Sequence, residues 1–259
     1  MKKKIVTGLI VFIVAAAAVL LKLFMSGPVP RTERAVEVRV LLRRGEESIE
    51  ISSASPCDVI DPAEGGTLLQ NADISRGINI SADDSRIRFG EKGFFPGGIR
   101  LSFGSGDDFE INGTAYRGDL IVRAGDRGLD AVNVLKIEDY LKGVVPCEVN
   151  SYWPYEVLKA QAIVSRSFAL SKTLRRKSRK YDLSADTYSQ VYRGREAENW
   201  RTSRAVDDTA GLVLGYNGRV VPGYFSSCCG GHTENASVVW GEKSLPPLEG
   251  VRCRWCWIS

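Results

Sequence analysis

The stretch VVPCEVNSYWPYEVLKAQAIVSRSFAL, from Val144 to Leu170, places one carboxylate, Glu148, in an apolar turn before an amphipathic helix. A carboxylate among apolar neighbours is costly to keep ionised, so the pKa of Glu148 is predicted to be raised. A raised pKa suits a general acid that works near neutral pH. The residues alone also allow a second interpretation, in which Glu148 merely caps or solvates the turn.

The second half of this stretch has the pattern of a helix. Pro154 suits a first helical position, and Glu156 adds a favourable charge in the first turn. Apolar and small residues then recur at helical spacing, at Leu158, Ala162, Ser165 and Ala169. Arg166 lies within this packed segment, although an arginine in the middle of a helix is ordinarily a surface residue.

Short alternating runs before this region indicate β-strands. Val36, Val38 and Val40 alternate with polar residues, and glycine-rich breaks separate similar runs as far as Arg127. The helical middle is predicted over Ile137 to Lys180. Leu212 to Phe225 returns to strand, with Asn217-Gly218 as a hairpin turn. The fold class is therefore α+β, with a mainly β N-terminal half, central long helices and a mixed C-terminal part.

The N-terminus has the pattern of a membrane anchor. Three lysines precede a largely apolar run that begins at Ile5 and reaches the length needed to span a bilayer. Without a convincing cleavage site, an uncleaved anchor is favoured over a removed signal peptide. We therefore predict an anchor at 1–25, a linker at 26–34 and a domain at 35–259. The protein is expected in the cell membrane as a single-pass protein, with its domain outside the cytoplasm.

The composition is that of a globular domain. Of the 259 residues, 44% are hydrophobic and 25% charged, enough for one substantial core. The formal net charge of +4 is mild, and the basic residues are dispersed among 31 acids. This distribution argues against a nucleic-acid partner.

Two residue pairs near the C-terminus have the spacing of metal ligands. Cys229 and His232 are separated by two glycines, and Cys253 and Cys256 by Arg-Trp. Such pairs on tight turns fit a tetrahedral structural Zn²⁺ site. A disulfide between the two turns is the rival interpretation, since an extracellular domain tolerates oxidation. In a third interpretation, His232 is simply a turn residue.

Four ordered motifs resemble those of one family. They are NVLKIEDYLKGVVPCE (133–148), the Val144–Leu170 stretch, DLSADTYSQVYRG (182–194) and GYFSSCCGGHTENASVVWG (223–241). Together they resemble the stage II sporulation protein D family, the SpoIID/LytB domain of peptidoglycan lytic transglycosylases. The resemblance covers roughly residues 35 to 256. It departs from the family at Val149-Asn150-Ser151, where Met-Pro is common. Relatives usually continue past Ser259, so a truncated C-terminus is left open.

The resemblance implies a function and a site. The family's catalytic acid falls on Glu148, and its helix arginine beside the site falls on Arg166. The implied reaction cleaves glycan strands, stripped of peptides by family analogy, between N-acetylmuramic acid and N-acetylglucosamine. One acid suffices because the muramic acid hydroxymethyl group attacks its own anomeric carbon and forms an anhydromuramoyl end. Family members are also reported to hold a metal near the cysteine block, which favours zinc.

Four further residues are candidates for sugar binding: Gln190, Tyr192, Ser226 and Ser227. In the alternative interpretation, Tyr192 packs in the core and Gln190 satisfies the hydrogen bonds of backbone groups. Trp153 and Trp240 are expected in the core. The competing functions are a non-catalytic wall-binding or amidase-enhancing module, with a cell-wall amidase as partner, and a purely structural scaffold.

Overall fold

The computed structural model of the protein describes residues 36–83, 86–104, 106–175, 180–241 and 243–256. The predicted anchor at 1–25 and linker at 26–34 lie outside these residues. Within the described part of the chain, no helix is long and apolar enough to cross a membrane.

The described residues form a mixed α+β fold, and the predicted β-rich N-terminal half is confirmed. Twelve strands precede the first helix: β1 (Glu37–Glu46), β2 (Ser48–Ser52), β3 (Cys57–Ile60), β4 (Thr67–Ala72), β5 (Ile78–Asp83), β6 (Arg86–Phe89), β7 (Phe94–Pro96), β8 (Gly98–Ser102), β9 (Asp108–Ile111), β10 (Thr114–Arg117), β11 (Asp119–Gly125) and β12 (Gly128–Lys136). Three two-residue strands follow later in the chain: β13 (Leu183–Ser184), β14 (Gly215–Tyr216) and β15 (Arg219–Val220).

The strands form two large sheets and one hairpin. The first sheet has the order β13-β1-β12-β11-β8-β3-β4, and only its β13–β1 pair is parallel among the pairings described. The second has the order β10-β9-β2-β5-β6-β7. Alternate side chains such as Val38, Val40, Ile49 and Ile51 are fully buried, as period-2 alternation predicts. One hydrophobic core joins both sheets to the helices.

Four α-helices occur in the described residues: α1 (Ile137–Glu148), α2 (Tyr155–Arg175), α3 (Trp200–Asp208) and α4 (Ala236–Trp240). Strand β12 runs directly into α1, and the Ile137 N–H donates to the Val36 carbonyl at 2.9 Å. This bond fixes the start of α1 against β1. The buried face of α1 has helical spacing, at Ile137, Tyr140, Leu141, Val144 and Val145.

The predicted helical middle consists of two helices, α1 and α2. A turn at 149–154 separates them, with the Tyr152 N–H donating to Asn150 Oδ1 at 2.9 Å. Glu148 is therefore the last residue of a helix, and its predicted placement in a turn before a helix is corrected. The start of α2 at Tyr155, directly after Pro154, agrees with the predicted helix start within one residue.

The region after Leu212 contains less strand than predicted. The hairpin turn at Asn217-Gly218 is confirmed, with φ values of 49° and 71° that suit a type I′ turn between β14 and β15. The rest of 212–225 lacks regular strand structure. Helix α3 was not predicted, although Asn199 caps it by accepting from the Arg201 N–H at 2.9 Å.

Candidate functional site

Glu148 lies at the C-terminal end of α1 with its side chain half-buried. Its Oε1 accepts a hydrogen bond from the Val191 N–H at 3.3 Å. Desolvation raises the pKa of Glu148, and the Val191 bond opposes that shift because it stabilises the carboxylate. The raised pKa predicted from the apolar neighbours thus has the expected direction.

Glu148 opens onto a cleft of about 240 Å³, which we call the acid cleft. Five parts of the chain line it: the end of α1, α2, the loop at 187–191, the residues around 223–225 and the last residue of α4. The lining residues are Glu148, Phe168, Lys172, Thr187, Tyr188, Ser189, Gln190, Val191, Gly223, Tyr224, Phe225 and Trp240. Among these described residues, Glu148 is the only carboxylate and Lys172 the only cation.

Exposed aromatic rings border the acid cleft. Tyr188 is 91% exposed and Trp240 57% exposed, while Phe225 is also exposed. The Trp240 ring stacks on Tyr224 with centroids 5.2 Å apart and planes at 10°. Flat, exposed rings beside a polar group are suited to the apolar faces of sugars. The prediction that Trp240 lies in the core is wrong, and the same holds for Trp153, which is also exposed.

Gln190 combines burial with an unsatisfied donor. Its side chain is 1% exposed, and its Oε1 accepts from the Tyr140 hydroxyl at 3.3 Å. Among the described residues, its Nε2 has no hydrogen-bond partner. Because buried amides are ordinarily satisfied, a donor left open beside the cleft suits a residue that binds a ligand.

The structure places Tyr192 in the core, away from the lining of the acid cleft. Its hydroxyl donates to Asn133 Oδ1 at 3.1 Å, and its ring lies 5.1 Å from that of Tyr140. The ring also packs against Gly143, where a Cβ would lie 2.6 Å from Tyr192 Cε2. Tyr192 therefore does not contact a ligand in this cleft, and its predicted sugar-binding role is corrected.

Ser226 and Ser227 follow the cleft residue Phe225 and are exposed. Neither is among the residues that line the acid cleft. Their role in substrate binding stays a prediction.

Arg166 is fully buried, with 0% exposure, and not at the surface as mid-helix arginines usually are. Its Nε and Nη2 donate to Glu138 at 3.0 and 2.7 Å. The remaining N–H groups donate to backbone carbonyls of α2, α3 and the following loop, at Ala162, Val206 and Leu212. Five N–H groups thus have acceptors, which is the full complement of a guanidinium.

Arg166 also points away from the acid cleft. Phe168 follows it by two residues, or about 200° around the helix axis. Because Phe168 faces the cleft, Arg166 faces the opposite side of α2. Arg166 therefore does not line the acid cleft, although the resemblance places this arginine beside the site: it binds Glu138, on the first turn of α1.

Lys172 was missed by the sequence reasoning. It lies one helical turn after Phe168 on the same face of α2, and its Nζ sits 5.3 Å from the Phe168 ring centroid. The available signal was this i, i+4 spacing within a helix already recognised. Lys172 brings a positive charge into the same cleft as Glu148.

Three cysteines cluster near the C-terminus. The sulfur atoms of Cys229, Cys253 and Cys256 all lie within 4.8 Å of one another. The N–H groups of Cys256 and Trp255 point at the Cys253 sulfur and lower the pKa of its thiol to about 7. Such N–H donors stabilise a thiolate, the form that binds metal.

His232 is not part of this cluster, contrary to the predicted ligand set. Its side chain is exposed, and its backbone forms an isolated antiparallel bridge with Arg252. That bridge brings the two cysteine turns together. The thiol of Cys228 instead hydrogen-bonds Cys256, so Cys228 is the nearer candidate for a fourth ligand.

Comparisons with known proteins agree with the motifs. A family model described as "SpoIID: Stage II sporulation protein" matches residues 125–216. An uncharacterised protein of Brachyspira hyodysenteriae is 40% identical over 171 residues, 66% of this chain and 46% of that protein. The amidase enhancer of Bacillus subtilis is 40% identical over 108 residues, 42% of this chain and 14% of that protein. Stage II sporulation protein D of Bacillus subtilis is 31% identical over 140 residues, 48% of this chain and 40% of that protein. The chain spans less than half the length of each of these relatives.

The contacts of Arg166 predict a structural effect. Arg166→Met should lower the free energy of unfolding by about 3–5 kcal/mol, because it leaves the mostly buried Glu138 without its cation. Urea unfolding followed by circular dichroism measures this loss. The double variant Arg166→Met/Glu138→Gln should recover part of it. A stable, well-folded Arg166→Met protein without activity would instead support a role for Arg166 in the chemistry.

Proposed function

Because the chain belongs to the SpoIID family, we propose that it is a peptidoglycan lytic transglycosylase. Its substrate is the glycan strand, and by family analogy a strand already stripped of its peptides. The proposal is carried by one observation: a single half-buried carboxylate with a raised pKa lines a cleft bordered by exposed aromatic rings.

The absence of a second acid among the described cleft residues suits this reaction. Ordinary glycoside hydrolysis uses two carboxylates, one as acid and one as base or nucleophile. In a lytic transglycosylase the substrate supplies the nucleophile, the hydroxymethyl oxygen of muramic acid. One carboxylate can then act twice.

The proposed reaction begins with protonated Glu148. Its proton moves to the glycosidic oxygen, and the bond from that oxygen to the anomeric carbon breaks. Glu148, now a carboxylate, then takes the proton of the muramic acid hydroxymethyl group. At the same time the oxygen of that hydroxymethyl group forms a bond to the anomeric carbon. The products are an anhydromuramoyl end and a free N-acetylglucosamine hydroxyl, and no water is consumed.

The surrounding residues support both steps. Burial favours the protonated form of Glu148 by raising its pKa, while the Val191 N–H stabilises the carboxylate formed in the first step. The orphaned Nε2 of Gln190 can donate to a sugar hydroxyl or acetamido oxygen. Tyr188 and Trp240 provide faces on which sugar rings can stack.

We further propose a structural Zn²⁺ held by Cys229, Cys253 and Cys256, with Cys228 as the fourth ligand. The donor set fits because the sulfur atoms of these three residues already lie within 4.8 Å of one another, as ligands around one ion do. When bound, the ion would supply a cross-link and no catalysis. It would hold the segment that carries Phe225 and Trp240 beside Glu148.

A second function has support from one comparison. The relative named amidase enhancer is 40% identical over 108 residues. A module that stimulates a cell-wall amidase without cutting glycan would use the same cleft for binding. The N-terminal anchor would then present either kind of domain at the outer face of the cell membrane.

Glu148→Gln separates these functions. The amide keeps the size of the side chain but cannot give up a proton, so release of anhydromuramoyl ends should fall at least about 100-fold. Mass spectrometry of digested, peptide-stripped sacculi measures the ends, and Glu156→Gln, an exposed residue on α2, is the matched control. Unchanged release by Glu148→Gln would rule out the proposed acid. A wild-type protein that releases no ends but stimulates an amidase would favour the enhancer.

The same group predicts the pH dependence. Glu148 must carry its proton before the first step, so the turnover rate should fall as the pH rises through its pKa. Because burial raises that pKa, the fall should occur above the pH at which an ordinary glutamate ionises. Initial rates of anhydromuramoyl release across a pH series test this. A rate that climbs through the same range would contradict the role of Glu148 as an acid.

The zinc proposal predicts one Zn²⁺ per chain in protein purified without chelator. Cys253→Ala should lose the ion, whereas Cys57→Ala, which removes a buried thiol of β3, should keep it. Elemental analysis by mass spectrometry measures the metal. A zinc-free wild-type protein with a disulfide among these cysteines would support the rival interpretation.

A further inference from the structure

A second pocket lies beside the acid cleft, and we call it the basic pocket. It has a volume of about 640 Å³ and is lined by Arg175, Tyr216, Asn217, Arg219, Val220, Val221, Lys243 and Leu245. Three of these residues are cations, and no carboxylate is present among the described lining residues. A concentration of positive charge on partly apolar walls is suited to an anionic organic ligand.

The basic pocket and the acid cleft are built on the same three segments. Helix α2 contributes Phe168 and Lys172 to the cleft and Arg175 to the pocket. These residues follow i, i+4, i+7 spacing and so share one face of the helix. The chain at 216–225 and the chain at 240–245 also border both cavities.

The two cavities are offset along α2. Arg175, which lines the basic pocket, follows Phe168, which lines the acid cleft, by seven positions, or about 10 Å along the helix axis. This offset between two lining residues is comparable to the length of one disaccharide of a glycan strand. A strand that runs along this face of α2 from the acid cleft would therefore reach the basic pocket with a neighbouring disaccharide.

The β14–β15 hairpin fixes the position of Arg219. Arg219 pairs with Tyr216, and Val220 pairs with Gly215, across the tight Asn217-Gly218 turn. The Val221 N–H then donates to the Leu214 carbonyl at 2.9 Å. Arg219 is thus presented from a short, well-bonded hairpin and not from an irregular loop.

We propose that the basic pocket binds the free lactyl carboxylate of a muramic acid one disaccharide away from the cleaved bond. This inference rests on the proposed function, whose substrate is a peptide-stripped strand. Removal of the peptide from muramic acid converts a neutral amide into a carboxylate anion. Arginine and lysine form their strongest hydrogen bonds with such an anion.

Selection for stripped strands follows from this chemistry. A strand that keeps its peptide has no carboxylate at this position and carries extra bulk against Val220 and Leu245. An oligomer of N-acetylglucosamine has no lactyl group. The basic pocket therefore discriminates between glycans that the acid cleft alone binds alike.

Binding to the full-length protein in detergent tests the proposal, with Glu148→Gln present in every sample to prevent cleavage. The probes are fluorescently labelled stripped strands, strands that keep their peptides, and N-acetylglucosamine oligomers. Arg219→Gln/Lys243→Gln should bind stripped strands about tenfold more weakly, because two charge-assisted contacts are lost. Its affinity for the N-acetylglucosamine oligomers should not change.

Two controls accompany the double variant. Arg219→Lys/Lys243→Arg keeps both charges and should bind stripped strands nearly as the parent does. Arg76→Gln/Arg88→Gln removes two exposed cations near the six-stranded sheet and should leave binding unchanged. Thermal unfolding of each variant checks that it is folded. If the glutamine pair does not fold, the charge-conserving pair reports on the pocket.

The outcomes separate this inference from the proposed function. Equal loss of affinity for all three probes, or no loss for stripped strands, would overturn the assignment of the basic pocket. Charge-dependent binding of stripped strands by a protein that, with Glu148 intact, forms no anhydromuramoyl ends would support the pocket and contradict the enzyme.

Discussion

The buried ion pair between Arg166 and Glu138 is the constraint on which the site depends. It joins the first turn of α1 to the middle of α2, and the same guanidinium binds carbonyls at the end of α3 and in the loop that follows. Glu138 in turn accepts from the Gly211 N–H at 3.1 Å. A guanidinium removed from water requires all of these acceptors, so the elements can pack only in an arrangement that supplies them.

The acid cleft is a consequence of that arrangement. Glu148 ends α1, Lys172 lies on α2, and Phe225 follows the loop that Arg166 holds through Leu212. None of these residues touches the ion pair, yet the pair sets the positions of the elements that carry them. Arg166 thus supports the walls of the acid cleft without lining the cleft itself.

The core and the cavities are formed by different parts of the fold. The two sheets supply the core and hold α1, while the chain after α3 supplies most of the ligand-facing aromatic and basic residues. That later chain has little regular structure of its own. Zinc at the cysteine cluster would compensate for the small core there, since a metal site stabilises short loop-rich segments.

The sequence by itself determined the alternating strands, the helix that begins near Pro154, the Asn217-Gly218 turn and the raised pKa of Glu148. These features depend on neighbours within a few residues, through side-chain periodicity, the restricted φ of proline and local burial. Only the tertiary structure decided that Arg166 is buried, that Tyr192 is core, and that Trp240 and Lys172 face the same cleft as Glu148. It also separated His232 from the cluster of Cys229, Cys253 and Cys256. Each of these depends on which distant segments meet, and no local pattern of residue types encodes that meeting.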